Sequence, residues 1–142
     1  MTPPLLDTHV WLWWLLGQPE LADLDRDALD ALAAAGTPPA LACISLWEAQ
    51  MLAAKGRLAL EVPLNHWLPM AAAPETVTLL PMDVAVILAL GSLPEAFNGD
   101  PADRIIVATA LAHGLPLATR DKNICRSRIA KIWATPGAAQ IF

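Results

Sequence analysis

Apolar residues come in short blocks, each closed by proline, glycine or a charged residue, and the blocks fall into two periods. Leu5-Leu6, ended by Asp7, is too short for a helix and predicts a buried strand. Thr8 to Leu16 is apolar on nearly every side and predicts a buried helix, stopped by Gly17-Gln18-Pro19. Residues 25–35 alternate at helical spacing, with Asp25, Asp27 and Asp30 on the outward face. Ala40–Ile44 predicts a second short strand, followed by a helix from Leu46 to about Lys55 that closes at Gly56. Further on, the pattern predicts a helix at Pro63–Ala72, a strand at Thr76–Leu80, and helices at Asp83–Leu90 and Ala102–His113, the last capped by Gly114. Leu117-Ala118 and Ile132-Trp133 are strand stubs. Short apolar strands alternating with helices imply an α/β sandwich around a mainly parallel sheet, in which ligands bind beyond the carboxyl ends of the strands.

Composition narrows the class. The 142 residues suit one domain spanning 1–142, without repeats or a long linker. A hydrophobic content of 56% with only 16% charged residues excludes disorder and leaves apolar surface for a partner. The apolar runs Val10–Gly17, Val84–Gly91 and Ile105–Ala112 are each far short of the roughly 18 residues of a membrane span. Asp7 interrupts the apolar start, so no signal peptide is expected. Two cysteines, Cys43 and Cys125, form neither a disulfide framework nor a metal cluster, and fit a reducing, cytoplasmic setting.

Charge is unevenly spread. Residues 1–103 carry a net of −10, whereas residues 104–142 carry +5. A basic C-terminal third on an acidic body suits a polyanion, or else a solvated face.

The acids fall where the predicted strands end. Asp7 directly follows the first strand, Glu48 lies in the first predicted turn after Ala40–Ile44, Asp103 opens the long buried helix, and Asp121 follows Leu117-Ala118 by two residues. In a parallel sheet these junctions share one edge, so residues distant in sequence converge. Each acid also has a local reading. Ser45-Leu46-Trp47-Glu48 matches a capping box, Asp100-Pro101 an N-cap with proline at the first helical position, and Asp7, Asp103 and Asp121 suit helix starts. Four carboxylates on one edge repel, and a divalent cation is the natural remedy. Oxygen-only ligands suit Mg²⁺ or Mn²⁺ and not zinc.

Four stretches in order carry a family resemblance: Leu5-Leu6-Asp7-Thr8-His9, Ser45-Leu46-Trp47-Glu48, Asp100 to Ala110, and Leu117-Ala118-Thr119-Arg120-Asp121. They span nearly the whole chain. The chain resembles PIN-domain ribonucleases, and among them VapC-type toxins of bacterial toxin–antitoxin pairs. The resemblance implies a PIN-like α/β/α sandwich and makes Asp7, Glu48, Asp103 and Asp121 a metal-binding acidic quartet. Ser45 and Thr119 are then supporting hydroxyls and Asp100 a supporting acid, while Asp103 rather than Asp100 takes the motif's key position. It further implies a cognate antitoxin as partner and RNA as substrate, cut to 5′-phosphate and 3′-hydroxyl ends. The overall acidity departs from what an RNA-cutting enzyme suggests.

The chemistry assigns roles within that quartet. Phosphodiester hydrolysis needs a deprotonated water, neutralisation of phosphate charge and help for the leaving oxygen. Asp7 and Asp103 are expected as direct metal ligands, with Asp121 direct or through water, and Glu48 orienting the attacking water or completing a second ion's shell. Arg104, Arg120 and Lys122 flank the acids and are expected to hold RNA phosphates. Trp11 and Trp14, three apart on an apolar helix, point to core or a protein interface, and with the high apolar content suggest a homodimer. His9 is expected to pack or cap, and His66 and His113 lack ligand spacing. Two other classes stay open: a non-catalytic PIN-fold module that binds RNA or protein, and an aspartate-based phosphotransferase with Asp7 as nucleophile. The second lacks the further aspartate two residues on, where His9 stands.

Overall fold

The computed structural model describes residues 2–97 and 99–135. Four parallel strands, β1 (Leu5–Leu6), β2 (Ala40–Ala42), β3 (Thr78–Leu80) and β4 (Leu117–Ala118), form a sheet in the order β3-β2-β1-β4. The helices among the described residues are α1 (Thr8–Leu15), α2 (Asp23–Ala34), α3 (Ile44–Ala54), α4 (Leu64–Ala71), α5 (Val84–Ser92), α6 (Pro101–His113) and α7 (Lys122–Ser127). They flank the sheet on both sides, giving an α/β/α sandwich.

Strand alternation builds two cores from one sheet. Leu6, Leu41 and Ala118 face a cluster with Trp11, Trp14, Leu29, Leu32 and Ala71 of α1, α2 and α4. Leu5, Ala40, Ala42 and Leu117 face the opposite cluster, with Val86 of α5, Ile106, Val107 and Ala110 of α6, and Ile124 of α7. Leu5, Leu6, Leu41 and Leu117 are wholly buried, which is why such short strands carry no polar alternation. Trp11 and Trp14 belong to the core, their indole N–H groups satisfied by the Ala71 carbonyl at 3.0 Å and the Asp30 carboxylate at 2.8 Å. No helix among the described residues is long and apolar enough to cross a membrane.

From β1 the chain steps outward to β2 and β3, then returns through α5 and α6 to β4 on the other side of β1. The reversal makes the carboxyl ends of β1 and β4 the topological switch point of the sheet, where open α/β sheets place their ligands. Helix α6 leads into β4 and runs antiparallel to it, so its N-terminus returns to the same edge.

Several boundaries differ from the sequence pattern. The apolar run Ala40–Ile44 is strand only to Ala42; Cys43 turns into the helical region and Ile44 opens α3, since an unbroken apolar run does not separate strand from buried helix. The Ile132-Trp133 stub makes a single parallel bridge, Leu117 to Ile132, rather than a strand. Helix α7 has no counterpart in the hydrophobic pattern, because its six residues carry no apolar period; its signal is the Asp121 cap, whose Oδ1 accepts from the Ile124 N–H at 3.0 Å. Asp25, placed outward by periodicity, is buried. Cys43 and Cys125 are both free thiols.

Candidate active site

Asp7 leaves β1 and caps α1, and it is only 4% exposed. Its Oδ1 accepts from the Thr8 N–H at 2.8 Å and its Oδ2 from the Thr119 hydroxyl at 2.7 Å. The same Thr119 oxygen accepts the Asp121 N–H at 3.0 Å. One hydroxyl at the end of β4 therefore ties together two acids 114 positions apart in the chain. The register makes this possible: Leu6 pairs with Ala118, and the Asp7 N–H donates to the Ala118 carbonyl at 2.9 Å, so the residues just beyond each strand end lie side by side.

On the other flank, α3 brings in Ser45 and Glu48. The Thr8 hydroxyl donates to Glu48 Oε1 and lies 2.7 Å from Ser45 Oγ. A hydroxyl has one proton, so when Thr8 donates to an ionised Glu48 the Ser45 hydroxyl donates to Thr8. This differs from a capping box. Helix α3 begins a residue before Ser45, its N-cap Cys43 makes no side-chain bond, and Ser45 and Glu48 turn instead toward α1. Thr8 joins these two site residues directly, a role that its position beside Asp7 in Leu-Leu-Asp-Thr did not reveal.

The N-terminus of α6 supplies the remaining acids. Asp100 is the N-cap, its Oδ1 accepting from the Ala102 and Asp103 N–H groups at 2.9 and 3.3 Å. Asp103 sits in the first turn and is partly buried. Helices α1 and α6 thus direct their positive ends at one edge, where anionic groups are favoured.

The electrostatics describe a site short of positive charge. Burial pushes the Asp7 carboxyl above the usual carboxylate range, and Asp121 pushes the same way, against the Thr119 and Thr8 hydrogen bonds and the nearby His9. Burial also raises Glu48, with Asp7 and Asp100 adding to the rise and the Thr8 hydrogen bond and His9 opposing it. His9 is exposed and lies against Trp13, ring centroids 6.0 Å apart. Acids from four separate elements thus feel one another, and the side-chain donors they offer are oxygens. That chemistry fits a hard divalent cation. Among the described residues no three acids close round one point; Mg²⁺ ordinarily uses one or two carboxylates and keeps several waters.

The basic residues are differently placed. Arg120 pairs with Asp25 at 2.7 Å, and Arg104 donates to the Pro94 carbonyl at 3.0 Å, so both guanidinium groups are engaged within the chain. Lys122 is exposed at the start of α7.

The family model of the PIN domain matches residues 5–130, which carry this sheet and the acids at its carboxyl edge. The chain belongs to the PIN domain family. Among curated proteins it is 40% identical to Ribonuclease VapC22 of Mycobacterium tuberculosis over 125 residues, 87% of this chain and 91% of that protein. Among solved structures it matches a chain of a toxin-antitoxin complex from Klebsiella pneumoniae with a TM-score of 0.57, covering 89% of this chain and 93% of that one. Identity there is 22%, so that likeness speaks for the fold alone.

Proposed function

We propose that the chain is a metal-dependent endoribonuclease, the toxin of a toxin–antitoxin pair, hydrolysing RNA phosphodiesters to 5′-phosphate and 3′-hydroxyl ends. The observation that carries this is the hydrogen-bonded frame in which Thr119 joins Asp7 to Asp121 while Thr8 joins Ser45 to Glu48, beside the Asp100 and Asp103 end of α6. The name of the mycobacterial ribonuclease supports the activity and that of the Klebsiella complex supports an antitoxin partner.

Asp7, Asp103 and Asp121 are the residues to hold Mg²⁺ or Mn²⁺, which when bound supplies charge neutralisation at the phosphate and a more acidic water. Asp7 offers a lone pair on each oxygen beyond those taken by Thr8 and Thr119. The two hydrogen bonds lock the carboxylate's orientation, so no ordering remains to be done when the cation arrives. Glu48, raised above an ordinary carboxylate and steadied by Thr8, is the residue to accept a proton from the attacking water. Exposed Lys122, with Arg126, Arg128 and Lys131 in the same basic third, meets RNA phosphates.

The same reading includes a homodimer acting in the cytoplasm. Trp11 and Trp14 of α1 are buried, and the surface suited to self-association is instead α5, where Val84, Ile87 and Leu88 form an exposed stripe at helical spacing, 75%, 48% and 70% accessible. The test of function is incubation of the purified chain with labelled RNA, with Mg²⁺ or Mn²⁺ and with chelator, and analysis of the ends. Cleavage that survives chelation, or that leaves 2′,3′-cyclic phosphates, overturns the proposal.

A further inference from the structure

Thr119, Arg120 and Asp121 follow directly on β4, and the first two send their side chains to different partners. Thr119 turns to Asp7, whereas the guanidinium of Arg120 reaches Asp25 on α2, Nη2 to Oδ2 at 2.7 Å. Asp25 is 7% exposed, and its other oxygen accepts from the Thr135 hydroxyl at 2.8 Å. Helix α2 is itself fastened to α1: Arg26 donates to the Trp14 and Gln18 carbonyls at 2.9 and 2.7 Å, and Asp30 accepts from Trp14. Helix α1 starts at Asp7. The contacts therefore close a ring, from Asp7 along α1, across to α2, through Asp25 and Arg120 to Thr119, and back to Asp7.

We propose that the Arg120–Asp25 ion pair is a positioning device for the acidic site, fixing the Thr119–Asp121 segment against α2, and that Arg120 acts in this way rather than by touching RNA. The inference rests on the nuclease reading for its activity assay, though not for its metal assay. Thr119 is held to Asp7 by a single hydrogen bond, and the ion pair restrains the intervening residue from the opposite side. Without it the spacing of Asp7 and Asp121 is set on one side only, and a displacement of about 1 Å at a reacting centre costs on the order of a hundredfold in rate.

Asp25→Asn discriminates the two roles of Arg120, because it releases the guanidinium without removing it. The test compares wild type, Asp25→Asn, Arg120→Ala, Arg120→Lys and the double variant Asp25→Asn/Arg120→Ala in the full chain. Leu29→Val, a buried change elsewhere on α2, serves as a control for loss of stability. A positioning role gives roughly ten- to hundredfold lower kcat for both single changes with KM within about twofold, a double variant no worse than the deeper single, and partial recovery in Arg120→Lys. The salt dependence of RNA binding stays that of wild type in every variant. A phosphate ligand gives the reverse: Arg120→Ala raises KM and lowers the salt slope by about one, while Asp25→Asn keeps its kcat; this overturns the proposal. So does a Leu29→Val protein, equally destabilised, that loses as much kcat as Asp25→Asn. Calorimetric titration with Mn²⁺ gives a readout independent of cleavage, with Asp25→Asn binding several-fold more weakly and equal affinity refuting the role. If wild type cuts no RNA, the nuclease reading falls and the Mn²⁺ titration alone decides for or against the positioning role.

Discussion

Replacing Asp7 with asparagine should make the metal-free protein more stable while removing its activity. In the native chain this carboxylate is 4% exposed, and burial raises it above its ordinary range. A buried ion carries a penalty of several kcal/mol even after relaxation. Two hydrogen bonds, from Thr8 and Thr119, compensate it in part. Asparagine keeps an acceptor for Thr8 and turns its amide toward Thr119, but neutral hydrogen bonds are about half as strong as charge-assisted ones, a loss of roughly 1 kcal/mol each. Against several kcal/mol of relieved desolvation this leaves a gain of about 1–2 kcal/mol, or roughly 3–6 °C in Tm for a domain of this size. The sign reverses the usual behaviour of paired carboxylates. Since the folded carboxyl is raised above its unfolded value, the native state binds more protons between the two, and the wild type gains stability as pH falls through the folded value. The advantage of the variant is therefore greatest above the raised folded value and shrinks as pH falls from there toward the ordinary carboxylate range. Thermal unfolding followed by circular dichroism in chelator, across that range, measures it. Adding metal inverts the order, since a cation at a hundred times its Kd stabilises by about 2.7 kcal/mol only the protein that binds it. An asparagine variant that melts below wild type at high pH, or a difference independent of pH, would refute the reasoning.

Asp103→Asn and Asp121→Asn should abolish RNA cleavage with the fold intact; asparagine is as good an N-cap as aspartate, so the stability of Asp121→Asn stays within about 0.5 kcal/mol, checked by circular dichroism beside a cleavage gel. Thr8→Val removes the buried hydroxyl between Ser45 and Glu48, and should lower stability by about 1–3 kcal/mol in urea denaturation while cutting turnover. Leu88→Lys, on the exposed stripe of α5, should yield a monomer in sedimentation with stability changed by no more than about 0.5 kcal/mol; a dimer that persists places the self-association face elsewhere.

Most of the local structure was legible because local chemistry decides it. Asp7 and Asp100 cap helices as their neighbours suggest, Gly114 ends α6 in the left-handed conformation at φ 63°, and Leu5-Leu6 and Leu117-Ala118 are buried strands. Where the pattern misled, a partner distant in sequence had intervened. Periodicity placed Asp25 in solvent, yet Arg120 and Thr135 hold it buried from about a hundred residues away. Ser45 and Glu48 have the spacing of a capping box, and both turn to Thr8 across the sheet edge. Arg120 is a basic residue beside acids in the sequence, and only the fold shows its guanidinium paired with Asp25, 95 positions away. Helix α7 ends at Arg128 with φ 57°, so no glycine marks its stop.

The sequence by itself determined most of the elements, their order and the residue types at each strand end, since capping, turn chemistry and the burial of apolar runs act over a few residues. Only the tertiary structure decided which of those ends meet. The reversal of strand order around β1, and a register that sets Leu6 beside Ala118, bring the Thr119 hydroxyl to the Asp7 carboxylate. A hydrogen bond of 2.7 Å between residues 112 positions apart is written in no local pattern; it exists because two hydrophobic cores, one on each face, hold the strands that carry its ends.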